Sequence, residues 1–284
     1  MSRIAYVNGR YAPFRDAMVH IDDRGYQFGD GIYEVFEIRD GALIDETRHL
    51  ARLERSLAAI RIKAPMATAA LRQIMREIVA RNRVRDGLLY IQVTRGVARR
   101  DHAFPANVAP GLVITARAID RAKGEAAAAL GVNVITLPDE RWRRPDIKTL
   151  QLLPNVLAKQ TARERGAYEA WLIDEAGFVT EGASTNAWII TKEGALVTRQ
   201  ADRAILRGVT RATLLDVAET FGLRFEERAF TLEEAFVARE AFISSATNIA
   251  MPVVAIDGRT IGDGRPGATT LRLRRAFHGL AERS

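Results

Sequence analysis

The amino-acid sequence predicts a two-domain α+β fold. Three observations predict it: short apolar or alternating runs occur in both halves of the 284-residue chain, segments with helical spacing lie between them, and a polar stretch near residue 120 interrupts the pattern before it restarts. Arg3 to Val7 reads as a strand leading into Asn8-Gly9, and Ile32 to Ile38 alternate into Asp40-Gly41, a hairpin signal. From Glu46 to Ile60, Leu50, Leu53, Leu57 and Ile60 recur at helical spacing, and a second helix fits Thr68 to Val79, closed by Asn82. Leu88 to Thr94 and Leu112 to Ala116 are short apolar strands that complete a first, α/β sandwich-like domain over residues 1–117. Polar residues 118–125, with Gly124, read as a linker.

Residues 126–284 then form a second, mixed-sheet or barrel-like domain. Its expected strands are Val132 to Leu137, Ala170 to Ile173, Ala187 to Thr191, Leu223 to Glu227, Ala241 to Ser244 and Val253 to Ile256. Its expected helices are Asn155 to Glu164, Thr210 to Phe221 and Ala268 to Leu280. No internal repeat or low-complexity run is visible.

The absence of cysteine excludes disulfides, thiolate metal sites and thiol nucleophiles, so covalent chemistry falls to another side chain or a cofactor. No apolar run approaches the ~20 residues that cross a bilayer, and the stretch up to Arg10 lacks the order of a signal peptide, so a cytoplasmic location without membrane contact is expected. The net charge of +7 is spread over the chain, which reads as solvated surface and suits a small anionic substrate; no nucleic-acid partner is expected. Lysine occurs only at 63, 123, 148, 159 and 192, while arginine supplies every other basic position. A lysine in an ordered setting is therefore a candidate for what guanidinium cannot do, losing a proton and adding to a carbonyl.

Lys148 has that setting. Ile147 and Leu150 flank it and Pro145 and Pro154 punctuate the segment, so partial desolvation is expected to lower its pKa; a surface lysine in a loop fits the same residues. In Thr180 to Asn186, small residues surround Glu181, which suits an anion beside a ring nitrogen or a solvated hairpin end. In Leu206 to Arg211 a loop containing Gly208 opens a helix whose first amides and Thr210 hydroxyl suit a phosphate or an ordinary cap. Arg100 and His102, two apart in the loop after Thr94, suit a grip on a carboxylate or a charged surface.

In order and over nearly the whole chain, these segments resemble the fold-type IV pyridoxal-phosphate aminotransferases, most closely the D-amino acid aminotransferases. The matching stretches are Asp23 to Glu34, His49 to Leu53, Thr94 to Pro105, Asp146 to Leu150, Thr180 to Asn186 and Leu206 to Arg211. The resemblance implies a two-domain fold-type IV enzyme whose C-terminal domain carries Lys148 as the Schiff-base lysine, which also moves the substrate's α proton. It implies pyridoxal 5'-phosphate as cofactor and no catalytic metal. Glu181 is then the partner of the pyridine nitrogen, so that its removal slows chemistry more than binding. Arg52, Val209 and Thr210 hold the phosphate, with Leu206 and the turn Ser245, Ala246 and Thr247 also at the cofactor.

Tyr33, Arg100 and His102 trap the substrate carboxylate, the last two from the partner subunit's loop, which implies a homodimer. The implied reaction moves amino groups between D-alanine, D-glutamate or D-aspartate and 2-oxo acids such as 2-oxoglutarate and pyruvate. Branched-chain or (R)-amine transamination and aminodeoxychorismate cleavage are the alternatives on the same fold. The sequence departs from the family at Ala246, where a phosphate-binding threonine is common, at Ala183 and Thr185, where serines are frequent, and at Trp188, where Phe is common.

Overall fold

The computed structural model describes residues 3–284, and Met1 and Ser2 lie outside the described residues. The chain divides into two units, and the division near residue 120 falls between Asp120 and Arg121. The first unit holds the chain up to Asp120 together with Ile147–Gln151 and Glu282–Ser284; the second holds Arg121–Asp146 and Leu152–Ala281.

The first unit contains β1 (Ile4–Val7), β2 (Arg10–Pro13), α1 (Arg24–Phe28), β3 (Gly31–Arg39), β4 (Ala42–Leu43), α2 (Glu46–Ala59), α3 (Thr68–Asn82), β5 (Gly87–Thr94) and β6 (Gly111–Ala118). Its strands form one sheet in the order β2-β1-β6-β5-β3-β4, each pair antiparallel. Strand alternation sorts the faces. Ile32, Phe36 and Ile38 of β3 and Leu89, Ile91 and Val93 of β5 point into the core, where Leu50, Leu53 and Leu57 of α2 and Met75 and Ile78 of α3 cover them. Each such leucine removed from water contributes roughly 1.5–3 kcal/mol. Short α1 starts at Asp23, whose carboxylate accepts from the Gly25 amide at 2.8 Å, and stops at Gly29, whose φ of 66° a side chain rarely tolerates.

The second unit contains α4 (Arg121–Leu130), β7 (Val132–Pro138), α5 (Leu153–Glu164), β8 (Glu169–Ile173), β9 (Val179–Gly182), β10 (Asn186–Ile190), β11 (Leu196–Thr198), α6 (Val209–Thr220), β12 (Phe225–Glu227), α7 (Leu232–Val237), β13 (Glu240–Ser244), β14 (Met251–Ile256), β15 (Arg259–Thr260) and α8 (Ala268–Leu280). Nine strands form a mixed sheet in the order β12-β11-β10-β13-β14-β7-β8-β9, with β15 on β14. The pairs β11 with β12, β14 with β7 and β7 with β8 are parallel, and the others antiparallel. β9 turns into β10 through residues 183–185 and packs beside it, which bends the sheet back on itself as the barrel-like expectation requires. Trp171, Phe230, Val197 and Ile243 are fully buried in its core. The carboxylate of Glu240 caps α8, accepting from the Thr269 and Thr270 amides at 3.1 and 2.8 Å.

Two expectations are corrected. Part of the segment expected as a linker, from Arg121 onward, is the start of helix α4, because Ala122 and Ala126 to Ala129 favour a helix strongly enough to outweigh Gly124. The lysine segment, expected in the C-terminal domain, belongs to the first unit, since Ile147 is buried in that unit's core. Among the described residues no helix is long and apolar enough to cross a membrane.

Candidate active site

The residues singled out by sequence fall into two sets, one in each unit. In the first unit, the two-residue β4 pairs only with the end of β3 and leaves its first half with an open edge. The lysine segment fills that edge: the Tyr33 amide donates to the Lys148 carbonyl at 3.0 Å, the Leu150 amide to the Gly31 carbonyl at 3.1 Å, and Thr149 bridges Ile32. Lys148 is half-buried and its Nζ lies 4.3 Å over the centre of the Tyr33 ring. The Tyr33 ring stacks on that of Tyr90 at 5.8 Å, and the Tyr90 hydroxyl donates to Gln92 Oε1 at 2.7 Å. Register explains the cluster, since Gln92 lies opposite Tyr33 and Tyr90 opposite Val35. Burial and the neighbouring Tyr33 push the Tyr90 phenol up to about 12, so it stays a donor.

Arg52 sits on α2 in the row His49, Arg52, Ser56, which runs beside the apolar row Leu50, Leu53, Leu57. That polar row meets Glu34, the one charged residue on the core face of β3 and 0% exposed. Arg52 Nε donates to Glu34 Oε1 and Nη2 to Oε2, both at 2.7 Å, while His49 Nδ1 reaches Oε2 at 2.7 Å. The fork fixes the plane of the guanidinium. Burial pushes Glu34 up, but Arg52 and His49 outweigh it and hold its carboxyl at about 2. His49 is pushed below its ordinary value chiefly by burial, so its ring is neutral and Nδ1 carries the donated proton.

These shifts predict an acid limb of stability. Below pH 6.5 the unfolded chain protonates His49 while the buried ring resists, so the unfolded state binds more protons and stability falls as the pH drops. Glu34 has a folded pKa below its unfolded value of 4.5, so its contribution, ~3 kcal/mol, is complete above 4.5 and is lost as the pH falls through about 2. Melting temperatures measured between pH 8 and pH 4 are expected to decline with acid, and a His49→Asn variant to flatten the part of the decline that begins near pH 6.5. An unchanged slope in that variant would contradict the assignment.

Arg100 and His102 lie on the exposed loop after β5. Both approach the same ring: the Arg100 guanidinium carbon is 5.0 Å and the His102 ring 5.6 Å from the centre of Phe28. Buried Arg24 holds the loop from beneath, donating to the carbonyls of Asp101 and His102 and, at 2.8 Å, to Asp30. Asp30 also takes two hydrogen bonds from Arg95, at 2.7 and 2.9 Å. Much of the stretch from Asp23 to Glu34 is thus scaffold that presents the loop.

In the second unit, Glu181 lies near the end of β9 and is 5% exposed. Its Oε1 accepts from Arg141 Nη1 and from the Leu206 amide at 3.1 Å, and its Oε2 from Asn186 Nδ2 at 2.9 Å. A carboxylate has about four lone-pair sites, so these three donors leave room on Oε2 for one more. The Asp139 carboxylate accepts from the Arg141 guanidinium at 2.8 and 2.7 Å and from its backbone amide at 3.2 Å, and balances its charge. Burial raises Glu181 above the ordinary carboxylate range, and Arg141 offsets only part of the rise. Arg141 itself is raised above its ordinary value: burial works against its charge, and Asp139 and Glu181 outweigh burial.

Asn186 organises the rest. Its Nδ2 also donates to the Leu206 carbonyl at 3.0 Å, and its Cα pairs across the sheet with Ser244. The loop Leu206–Gly208 and the turn Ser245–Thr247 therefore both begin beside it. α6 starts at Gly208 with no side-chain cap, which leaves the amides of its first turn, at Val209 and Thr210, for a ligand. Trp188 is buried, stacked on Phe242, and its Nε1 donates to Ser244 at 2.8 Å.

The donor sets fit the implied cofactor. A half-buried amine suits an aldehyde, a buried carboxylate with one lone-pair site left suits a protonated ring nitrogen, and an uncapped helix start beside a hydroxyl turn suits a phosphate. Sequence reasoning missed Glu34, His49 and Gln92 in one unit and Arg141 and Asp139 in the other. A charged residue in the apolar register of a strand was the available signal for Glu34; none in the sequence marks Arg141.

The family model for amino-transferase class IV matches residues 31–256. The chain is 44% identical over 270 residues to a D-alanine aminotransferase of Bacillus licheniformis, covering 95% of this chain and 94% of that protein. It is 40% identical over 279 residues to one of Staphylococcus haemolyticus, covering 98% and 97%. Among solved structures, the branched-chain amino acid aminotransferase of Escherichia coli superposes with a TM-score of 0.91 at 23% identity, covering 99% of this chain and 95% of that one. A branched-chain enzyme from T.th., solved with pyridoxamine 5'-phosphate, gives the same score and identity, covering 99% and 98%. With relatives so similar along nearly its whole length and the family pattern running from β3 to β14, this chain belongs to the class IV aminotransferases, enzymes of fold type IV that work with pyridoxal 5'-phosphate.

Proposed function

We propose that the protein transfers amino groups between D-amino acids, of the D-alanine, D-glutamate and D-aspartate type, and 2-oxo acids such as 2-oxoglutarate and pyruvate. Support comes from the curated relatives, which are named D-alanine aminotransferases at 40–44% identity. The observation that carries the chemistry is the Lys148 amine over Tyr33, on a strand edge that fixes its backbone.

Bound pyridoxal phosphate supplies an aldehyde for the amino group and an electron-withdrawing ring that eases loss of the α proton. Lys148 would hold the cofactor through its amine, and the free Nζ would carry the α proton. Glu181 would keep a proton on the ring nitrogen, because its buried carboxylate is held in place by Arg141, the Leu206 amide and Asn186 and has a lone-pair site left to accept from it. Val209, Thr210 and the turn Ser245, Ala246 and Thr247 would hold the phosphate, Leu206 would contribute to cofactor binding, and Arg52, fixed by Glu34, would add positive charge. Tyr33, Arg100 and His102 grip the substrate carboxylate. The position of that carboxylate decides which α hydrogen faces the amine, and hence the hand of the substrate. The exposed loop bearing Arg100 and His102 is proposed to serve the partner subunit of a homodimer.

The test is optical. Purified holoenzyme is expected to be yellow, to lose that colour when D-alanine is added without a 2-oxo acid, to stop after one turnover, and to respond far more slowly to L-alanine. Discharge by L-leucine in place of D-alanine would overturn the proposal in favour of the branched-chain reaction. Repeated pyruvate release from aminodeoxychorismate without any 2-oxo acid, together with no discharge of the colour by D-alanine, would overturn it in favour of the lyase.

A further inference from the structure

We propose that Arg274 is a positioning residue for cofactor phosphate binding, acting through the turn Ser245–Ile249. The inference rests on the reading of Ser245, Ala246 and Thr247 as cofactor ligands. Ile249 lies at φ 55° and is 6% exposed. A β-branched residue in the left-handed region is a genuine outlier, because its branched Cβ crowds the backbone, and such a conformation persists only where surrounding contacts over-determine it.

The contacts that do so converge from α8 and from Tyr168, the residue just before β8. Arg274, itself 8% exposed, donates from Nη1 to the carbonyls of Asn248 at 2.6 Å and Ala250 at 3.3 Å, the two residues that flank Ile249. Its Nη2 and Nε reach Glu125 at 2.9 and 3.3 Å, which fixes the guanidinium plane and matches its charge. Arg274 is thus a clasp on backbone carbonyls, not a ligand of the phosphate. Tyr168 adds a second hold, its hydroxyl donating to Asn248 Oδ1 at 2.6 Å.

Within the turn, the amides of Asn248 and Ile249 point back to the Ser245 carbonyl at 3.1 and 2.8 Å. The Asn248 amide and Nδ2 also meet Ser245 Oγ, at 3.2 and 3.1 Å, and Ser245 Oγ meets Thr247 Oγ1 at 3.0 Å. The amides of Ala246 and Thr247 donate to no acceptor among the described residues. Two successive free amides in a constrained turn form an oxyanion nest. Position 246 offers no hydroxyl, so at that residue the backbone is what a phosphate meets. Opening the clasp lets Ile249 relax to negative φ and turns those amides out of register.

The experiment compares apoprotein and holoprotein of the wild type, Arg274→Met, Arg274→Lys and Tyr168→Phe. Affinity is measured for pyridoxal phosphate and for pyridoxal, which lacks the phosphate. Arg274→Met is expected to raise the Kd for pyridoxal phosphate about tenfold, near the worth of one charge-assisted hydrogen bond, and to leave that for pyridoxal unchanged. Tyr168→Phe is expected to weaken it by a smaller factor in the same pattern, and Arg274→Lys to restore part of the loss. The gap between holo and apo melting temperatures should narrow in step. Equal weakening for both ligands, or lower melting temperatures with unchanged Kd, would assign Arg274 a merely structural role and overturn the inference. If Arg274→Met does not fold, Tyr168→Phe and Arg274→Lys decide it. A wild type that takes up no pyridoxal phosphate overturns the functional reading and this inference with it, whereas wild-type uptake with unaltered variants overturns the inference alone.

Discussion

Replacement of Lys148 by Ala is expected to lower the transamination rate by ~10^2–10^4-fold, the range lost with a positioned proton carrier, or by more where the covalent anchor also counts. The fold should survive, because the bonds that hold this segment on β3 are backbone bonds that alanine keeps, through the Lys148 carbonyl and the Leu150 amide. Ile147 remains to fill the core beside it. The expected signature is a protein with near-native melting temperature that loses bound cofactor on desalting and shows no amine transfer, with partial recovery in added methylamine. Borohydride reduction of wild-type holoenzyme should fix the cofactor on the peptide bearing Lys148. A fully active Lys148→Ala enzyme would end the proposal.

The largest expected effect on stability is at Glu34. Glu34→Ala leaves the Arg52 guanidinium, only 4% exposed, without its bidentate anion in a desolvated site. Removing one partner of a buried ion pair costs about 3–5 kcal/mol, because the remaining charge keeps its desolvation penalty. Calorimetric melting should therefore show a drop of several degrees or more, and Glu34→Gln, which keeps an acceptor, a smaller one. Added phosphate should protect the variant less than the wild type, since Arg52 loses the plane that Glu34 imposes. Equal melting temperatures for Glu34→Ala and wild type would show that the pair is not what holds α2 to β3.

Much of this was legible in the sequence, for reasons that differ by residue. Leu50, Leu53 and Leu57 announce α2 because helix burial obeys a local 3.6-residue period. Asn8-Gly9 announces the β1–β2 hairpin because few residues accept a positive φ, and both here adopt one, at 45° and 92°. Lys148 stood out through chemistry and scarcity, and its strand edge supports that reading. Its unit was not legible: the segment crosses back to β3 over long sequence separation, and no local pattern records which edge a strand leaves open. Arg141 was equally silent, one arginine among many, since only the folded chain brings it to Glu181 from 40 residues away. β9 was hidden by burial on both faces, which erases the alternation that marks a half-exposed strand.

The first unit is assembled from three separated stretches of chain, and this orders events in time. Leu43 exchanges both backbone hydrogen bonds with Ser284, at 3.0 and 3.1 Å, and Thr47 is held by Glu282 through its amide and hydroxyl at 2.9 and 2.7 Å. The stretch up to Asp120 alone therefore lacks the segment Ile147–Gln151 that lies along β3 and the residues Glu282–Ser284 that close the sheet's margin. The sheet of the first unit reaches its full hydrogen bonding only when contacts of very long sequence separation have closed, such as Thr47 with Glu282, and contacts of that kind form slowly.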